Sequence, residues 1–148
     1  MANFTYAAVI RGESAPGIGF LDGASDRQWS QFKSFCETRH HANGSTIVKA
    51  GEQDRSLWMV VGGALDVTVP GPPPTRHRVG SGTVIGEVAF FDGQPRSADI
   101  AASGDVELLV LTYANFERLA AADPALAQLL LLDLGRFLAQ RLRASEAG

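Results

Sequence analysis

A compact β-barrel or double-sheet roll bracketed by helices is the fold this sequence predicts, and three observations carry it. Sixteen glycines and seven prolines in 148 residues supply more turns than a helix bundle uses. Between Ser45 and Leu111, short β-branched and apolar runs alternate with Gly-, Pro- and Asp-rich breaks, giving roughly seven or eight strands. On either side of that region the apolar residues return at the helical period.

Taken in order, residues 1–21 are weakly patterned and glycine-rich and read as an N-terminal arm; residues 22–148 read as one domain. Ser25-Asp26 can cap a helix whose apolar stripe is Trp29, Phe32, Phe35 and Cys36, expected to end before Asn43-Gly44. Strands are expected over 45–49 and 57–61, with Gly62-Gly63 as a hairpin turn into a strand over 64–69. In that last strand Leu65, Val67 and Val69 share one face. Pro72-Pro73-Pro74 offers no N–H donors and reads as a stiff loop. Further strands are expected over 75–79, 97–102 and 106–111. Thr112 caps a helix from Tyr113 to Ala121, and Asp123-Pro124 starts a final helix to about Ser145. Leu126, Leu130, Leu134, Phe137, Leu138 and Leu142 form its apolar side, Asp133 and Arg136 part of its polar side. The run Leu129–Leu132 exceeds one stripe, so this helix either covers the roll alone or also meets a second copy of the chain.

Composition narrows the function classes. A net charge of −3 argues against general nucleic-acid binding, which needs a basic surface. The single cysteine, Cys36, excludes an intramolecular disulfide and reads as a small apolar residue. The N-terminus lacks a secretory pattern and no apolar run approaches the ~20 residues of a membrane span. A cytoplasmic protein without membrane insertion is expected. His40, His41 and His77 lack the spacing that converges on one metal. No metal, cofactor or enzymatic role is expected.

The chemistry concentrates in Gly86-Glu87-Val88-Ala89-Phe90-Phe91-Asp92-Gly93-Gln94-Pro95-Arg96-Ser97-Ala98. Arg96 offers a planar fork of donors suited to phosphate. Small residues after it let an anion approach backbone N–H groups, and a short helix from Glu87 would aim more of them at the same point. Glu87 would repel a bare phosphate, but suits a ligand that also carries a hydroxyl donor. The bland alternative is a Glu87–Arg96 surface ion pair worth roughly 0–1 kcal/mol.

The strings Gly86-Glu87-Val88-Ala89 and Pro95-Arg96-Ser97-Ala98 resemble the phosphate-binding cassette of the cyclic nucleotide-binding domain family. That family includes catabolite activator proteins, regulatory subunits of cyclic-AMP-dependent kinase and cyclic-nucleotide-gated channels. The resemblance extends over about residues 22–145, through Val60–Val67 and Leu109–Leu119. It implies a mainly β fold: an eight-stranded antiparallel β-roll of the jelly-roll type, with an N-terminal helix and a C-terminal lid helix. It implies Glu87 on the ribose 2′-OH, Arg96 on the cyclic phosphate, and Gly86, Val88, Ala89, Ser97 and Ala98 around them. Phe137, Leu138 and Arg141 become lid candidates, with Arg141 the candidate base contact. Asp99 departs from the usual cassette and is expected to face away from the ligand.

The expected function is a regulatory sensor of a cyclic purine nucleotide, cyclic AMP first and cyclic GMP second, signalling through movement of the final helix. The expected partners beyond the nucleotide are a second copy of the chain or a larger effector protein. No helix-turn-helix pattern follows the lid helix, so contact with nucleic acid is not expected. The alternative is a ligand-free structural or protein-interaction domain that keeps the fold.

Overall fold

A computed structural model describes residues 20, 21 and 23–147, the side chains of 144–147 excepted. Apart from Phe20 and Leu21, the expected N-terminal arm lies outside these residues. In chain order the elements are α1 (Asp26–Ser34), β1 (Glu37–His41), β2 (Thr46–Val48), β3 (Leu57–Val69), β4 (Thr75–Val79), β5 (Val84–Ile85), α2 (Glu87–Asp92), β6 (Asp99–Leu111), α3 (Tyr113–Ala122) and α4 (Pro124–Ala147). The strands form one antiparallel sheet in the order β1-β6-β3-β4, with β2 also on β6 and β5 also on β3.

The antiparallel roll with flanking helices is present, with six strands among the described residues rather than eight. The stretches 57–61 and 64–69 are one strand, as are 99–102 and 106–111, with the latter strand starting at Asp99 rather than Ser97. Gly62-Gly63 does not turn. It is where β3 bulges twice against β6, between Val60 and Gly62 and between Gly62 and Ala64. A Cβ on Gly63, whose φ is +84°, would stand 2.3 Å from the Asp105 carbonyl, so glycine here answers the approach of another backbone. The first helix also stops early, at Ser34. Glu37-Thr38-Arg39-His40-His41 is a strand laid along Val106–Val110, although nothing in its own composition favours one. The capping expectations hold. Ser25 and Gln28 form a reciprocal capping box on α1, and Thr112 Oγ1 accepts from Asn115 N at 3.1 Å.

Period-two alternation gives β3 and β6 two buried faces. Leu57, Met59, Leu109 and Leu111 pack against Phe20, Phe32, Leu130, Leu134 and Phe137 on the helical side. Trp58, Val60, Leu65, Leu108 and Val110 fill the interior of the roll. Burial of each such large side chain contributes about 1.5–3 kcal/mol. On α4, Asp133 is buried rather than solvated, because its Oδ2 accepts the Leu21 N–H at 2.7 Å. This contact ties the N-terminal segment to the last helix. Leu142 is the reverse case, at 61% exposed, with Leu131 and Leu132 also exposed on the same helix. Among the described residues no helix is long and apolar enough to cross a membrane.

Cys36 packs beside the helical core. Burial pushes its thiol from 9.0 up to about 12, with Lys33 opposing weakly. The native thiolate is thus roughly a thousandfold scarcer than the unfolded one at pH 8. A disulfide reagent at pH 8 is expected to label the native chain at least 100-fold more slowly than the urea-unfolded chain; equal rates would contradict this environment. Between about pH 9 and 12 the unfolded thiol ionises while the native one does not, so this group lowers native stability as pH rises through that window.

Candidate ligand-binding site

The cassette is held by its ends. Ile85 pairs with Trp58 on β3. The chain then turns through Gly86 at φ +90° into α2, and leaves α2 through Gly93 at φ +69°. Both angles suit glycine and disfavour side chains with a Cβ. Phe90 anchors α2 through ring contacts with Tyr113 at 5.6 Å and Phe116 at 5.2 Å. Arg55 closes the end of α2: its Nη2 donates to the carbonyls of Phe90 (2.8 Å) and Phe91 (3.1 Å), while its guanidinium lies 3.7 Å over the Tyr113 ring. These are the carbonyls that a helix end leaves without partners. The segment after α2 is fixed on the Gly51-Glu52 turn. Gly51 N donates to Arg96 O and Arg96 N to Glu52 O, both at 2.8 Å.

A cavity of about 450 Å³ opens between this cassette, the sheet and α4, within the size range of small-molecule sites. Its walls combine apolar strand residues, including Val67, Val69 and Ile100, with Glu87, Asp92, Arg96 and Arg141. Arg96 is only 6% exposed. Its Nη1 donates to Gly86 O at 3.0 Å, its Nη2 donates to Ser56 O at 2.5 Å and lies 3.6 Å from Asp54 Oδ1, and its plane lies 4.1 Å over the Trp58 ring. Its Nε is buried without a hydrogen-bond partner. Burial pulls this guanidinium below its ordinary pKa, and Asp54 pushes it back up. Glu87, 4% exposed, is ion-paired with Arg141 of α4, and Arg141 Nη2 also donates to Val84 O at 3.0 Å.

The structure therefore brings all eight expected site residues, Gly86, Glu87, Val88, Ala89, Arg96, Ser97, Ala98 and Arg141, to one cavity. Two expectations change. Glu87 and Arg96 do not form a surface pair: both are buried, and each has a different partner. Of the lid candidates on α4, Arg141 alone lines the cavity; Phe137 is core, 6.2 Å from the Phe20 ring. Asp99 faces away as expected, accepting Ala50 N at 2.8 Å. Sequence reasoning missed Trp58, Asp54 and Ser56 as the seat of Arg96, and His77 as a wall residue. The alternation of Val67 and Val69 in β3 was the one signal that pointed to part of this wall. Among the described residues no group of three His, Cys, Asp or Glu side chains is placed to hold a metal ion.

The family model for the cyclic nucleotide-binding domain matches residues 38–123, more than half of the chain. The chain belongs to the cyclic nucleotide-binding domain family. Its relatives include a cyclic nucleotide-gated potassium channel of Mesorhizobium japonicum, 35% identical over 58% of this chain and 23% of that protein. The cAMP-activated global transcriptional regulator CRP of Pasteurella multocida is 30% identical over 76% of this chain and 54% of its own length. The chain thus spans between about a quarter and half of these curated relatives. Among solved structures, the Thermus thermophilus catabolite activator protein superposes with a TM-score of 0.77 at 24% identity, over 86% of this chain and 60% of that one. A cyclic nucleotide-binding domain from Methylobacillus flagellatus gives 0.79 at 24% identity, over 95% and 78%. Both share the fold described for this domain.

Proposed function

We propose that this domain is a non-catalytic sensor of a cyclic purine nucleotide, with cyclic AMP the first candidate ligand. The observation that carries the reading is the Arg96 guanidinium: buried, stacked, fixed by two carbonyls, left with a partnerless buried Nε–H, and part of a side chain that lines a ligand-sized cavity. A buried donor without an acceptor costs about 1–3 kcal/mol, and a phosphate oxygen is the natural acceptor for it. Ser97 and Ala98 leave room for that oxygen. Glu87 then accepts from the ribose 2′-OH while keeping its charge balanced by Arg141.

This arrangement supplies a signalling route. A sugar hydroxyl on Glu87 enters the same network as Arg141, so the ligand and α4 share an ion pair. The nucleotide biases α4 to the extent that it binds one helix position more tightly than another. The exposed Leu131, Leu132 and Leu142 offer α4 a second role, as a contact for another copy or for an effector. A ligand-free interaction domain remains the competing reading, favoured by that same apolar surface.

Titration calorimetry backed by equilibrium dialysis, comparing cyclic AMP, cyclic GMP and 2′-deoxy cyclic AMP, tests the reading. Saturable binding is expected, with the 2′-deoxy analogue about tenfold or more weaker. In Glu87→Ala that discrimination is expected to vanish. No binding of any nucleotide to folded chain would favour the interaction domain instead.

A further inference from the structure

The cassette side of the cavity holds one charge that the sensor reading has not used. The carboxylate and guanidinium side chains on the wall are Glu87, Asp92, Arg96 and Arg141. Glu87 is ion-paired with Arg141, and Arg96 lies 3.6 Å from Asp54. Asp92, the last residue of α2, has no cationic partner among the described residues. Its Oδ1 accepts from Gln94 N at 2.9 Å, and the residue is exposed. With Asp54 counted, two guanidiniums face three carboxylates, a surplus of one negative charge. Gln94 to Ala98, the run that carries Arg96, lines the same cavity, so the surplus lies on the wall to which the phosphate is assigned.

Local structure does not require that charge. The Gln94 N–H takes an acceptor from the side chain two residues back, and asparagine offers the same Oδ1 as aspartate. The C-terminal end of a helix is the negative pole of its dipole and disfavours a carboxylate. Arg55 stands at this end of α2, but its guanidinium donates to Phe90 O and Phe91 O and lies over the Tyr113 ring. It forms no ion pair with Asp92.

We propose that Asp92 is a charge filter: it makes the cavity favour singly charged phosphodiesters over doubly charged phosphomonoesters. The proposal rests on the cyclic-nucleotide reading above. A cyclic nucleotide carries one negative charge on its phosphodiester. A 5′-nucleotide is a monoester whose second proton leaves near about pH 6, so its charge is about −2 at pH 7.5. Arg96 attracts both. Repulsion by Asp92 is proportional to the charge of the ligand, so it costs the monoester about twice what it costs the diester on the same wall. The monoester is also what water makes of the cyclic diester when it opens the ring. The filter therefore separates the signal from its spent form.

The test is to titrate the full chain and Asp92→Asn with cyclic AMP and with 5′-AMP at pH 7.5. Asparagine keeps the acceptor for Gln94 N and removes only the charge; circular dichroism verifies the fold. At about 0.1 M salt the substitution is expected to tighten cyclic AMP about threefold and 5′-AMP about tenfold. At about 1 M salt, where the screening length falls from about 10 Å to about 3 Å, both gains are expected to vanish. Asp105→Asn is the control for net charge. Asp105 lies on β6 about 20 Å beyond Asp99 at the usual rise per residue, and its Oδ1 acceptor for Asn43 N is likewise kept. It is expected to leave both affinities unchanged. A gain for 5′-AMP no larger than that for cyclic AMP, or no gain at all, would overturn the filter and leave the sensor reading standing. The same gains in Asp105→Asn would do likewise. Binding of neither nucleotide to any of the three proteins would overturn both readings.

Discussion

Arg96→Lys is expected to weaken cyclic-nucleotide binding by at least about 100-fold, although the charge at the position is kept. The guanidinium of Arg96 does three things at once in one plane. Nη1 and Nη2 bond the carbonyls of Gly86 and Ser56, the plane rests on Trp58, and Nε is buried without a hydrogen-bond partner. An ammonium cannot reproduce that division: its donors radiate from one atom on a flexible stem, and it has no plane to stack. If it bonds Ser56 O it turns away from the phosphate, and if it bonds the phosphate it leaves buried carbonyls unsatisfied. One lost charge-assisted hydrogen bond costs about 1.5–3 kcal/mol, which is roughly one to two decades of affinity. Loss of the stacking and of the carbonyl bonds adds to it. Calorimetric titration at pH 7.5 reads the affinity, and urea denaturation of the same sample reads stability, expected to fall by about 1–3 kcal/mol. An Arg96→Lys variant that binds within threefold of the parent would show that a point charge suffices and that the fork is structural only.

The same residue shows where sequence legibility stops. That Arg96, between Pro95 and Ser97, belongs to the cavity-lining cassette could be read through the resemblance its string carries, whereas residue types and spacing alone left a surface pair with Glu87 open. That the arginine is stacked on Trp58 and seated against Ser56 could not, because those partners come from β3 and the segment before it, and nothing local marks them. The pairing of Glu87 with Arg141 was hidden for the same reason: each residue was a site candidate, but only the packing of α4 across the cavity makes them partners. The fold divides similarly. Capping and alternation were local and held. Glu37–His41 is a strand because β6 offers it a free edge, against its own weak β pattern. Gly62-Gly63 carries the composition of a turn, yet Gly63 serves the close passage of the Asp105–Val106 backbone. Asp133 looked solvated by its helical spacing and is buried, because its partner is a backbone N–H from a segment far away in sequence.

Gly86→Ala is expected to lose ligand binding and to destabilise the domain by about 2–4 kcal/mol, whereas Gly44→Ala is expected to cost about 1–2 kcal/mol and leave binding unchanged. The two glycines have nearly the same backbone, φ +90° at Gly86 and +81° at Gly44. The left-handed penalty for a Cβ, roughly 1–2 kcal/mol, therefore applies to both and cancels in the comparison. Their surroundings differ. At Gly44 a Cβ meets nothing within 4 Å. At Gly86 it would stand 2.8 Å from Arg96 Nη1, 2.9 Å from Ser56 O and 3.1 Å from Trp58 Cε3. None of these can withdraw cheaply: the carbonyl is backbone, the indole is buried in the roll, and the guanidinium is pinned between them. The least costly relaxation moves Arg96, the group to which the proposed function assigns the phosphate. Paired urea denaturation and nucleotide titration of the two variants isolate this close approach from backbone strain. Equal stability losses with binding retained in both would mean that the cassette tolerates displacement of Arg96, and would remove the geometric basis for assigning the phosphate to it.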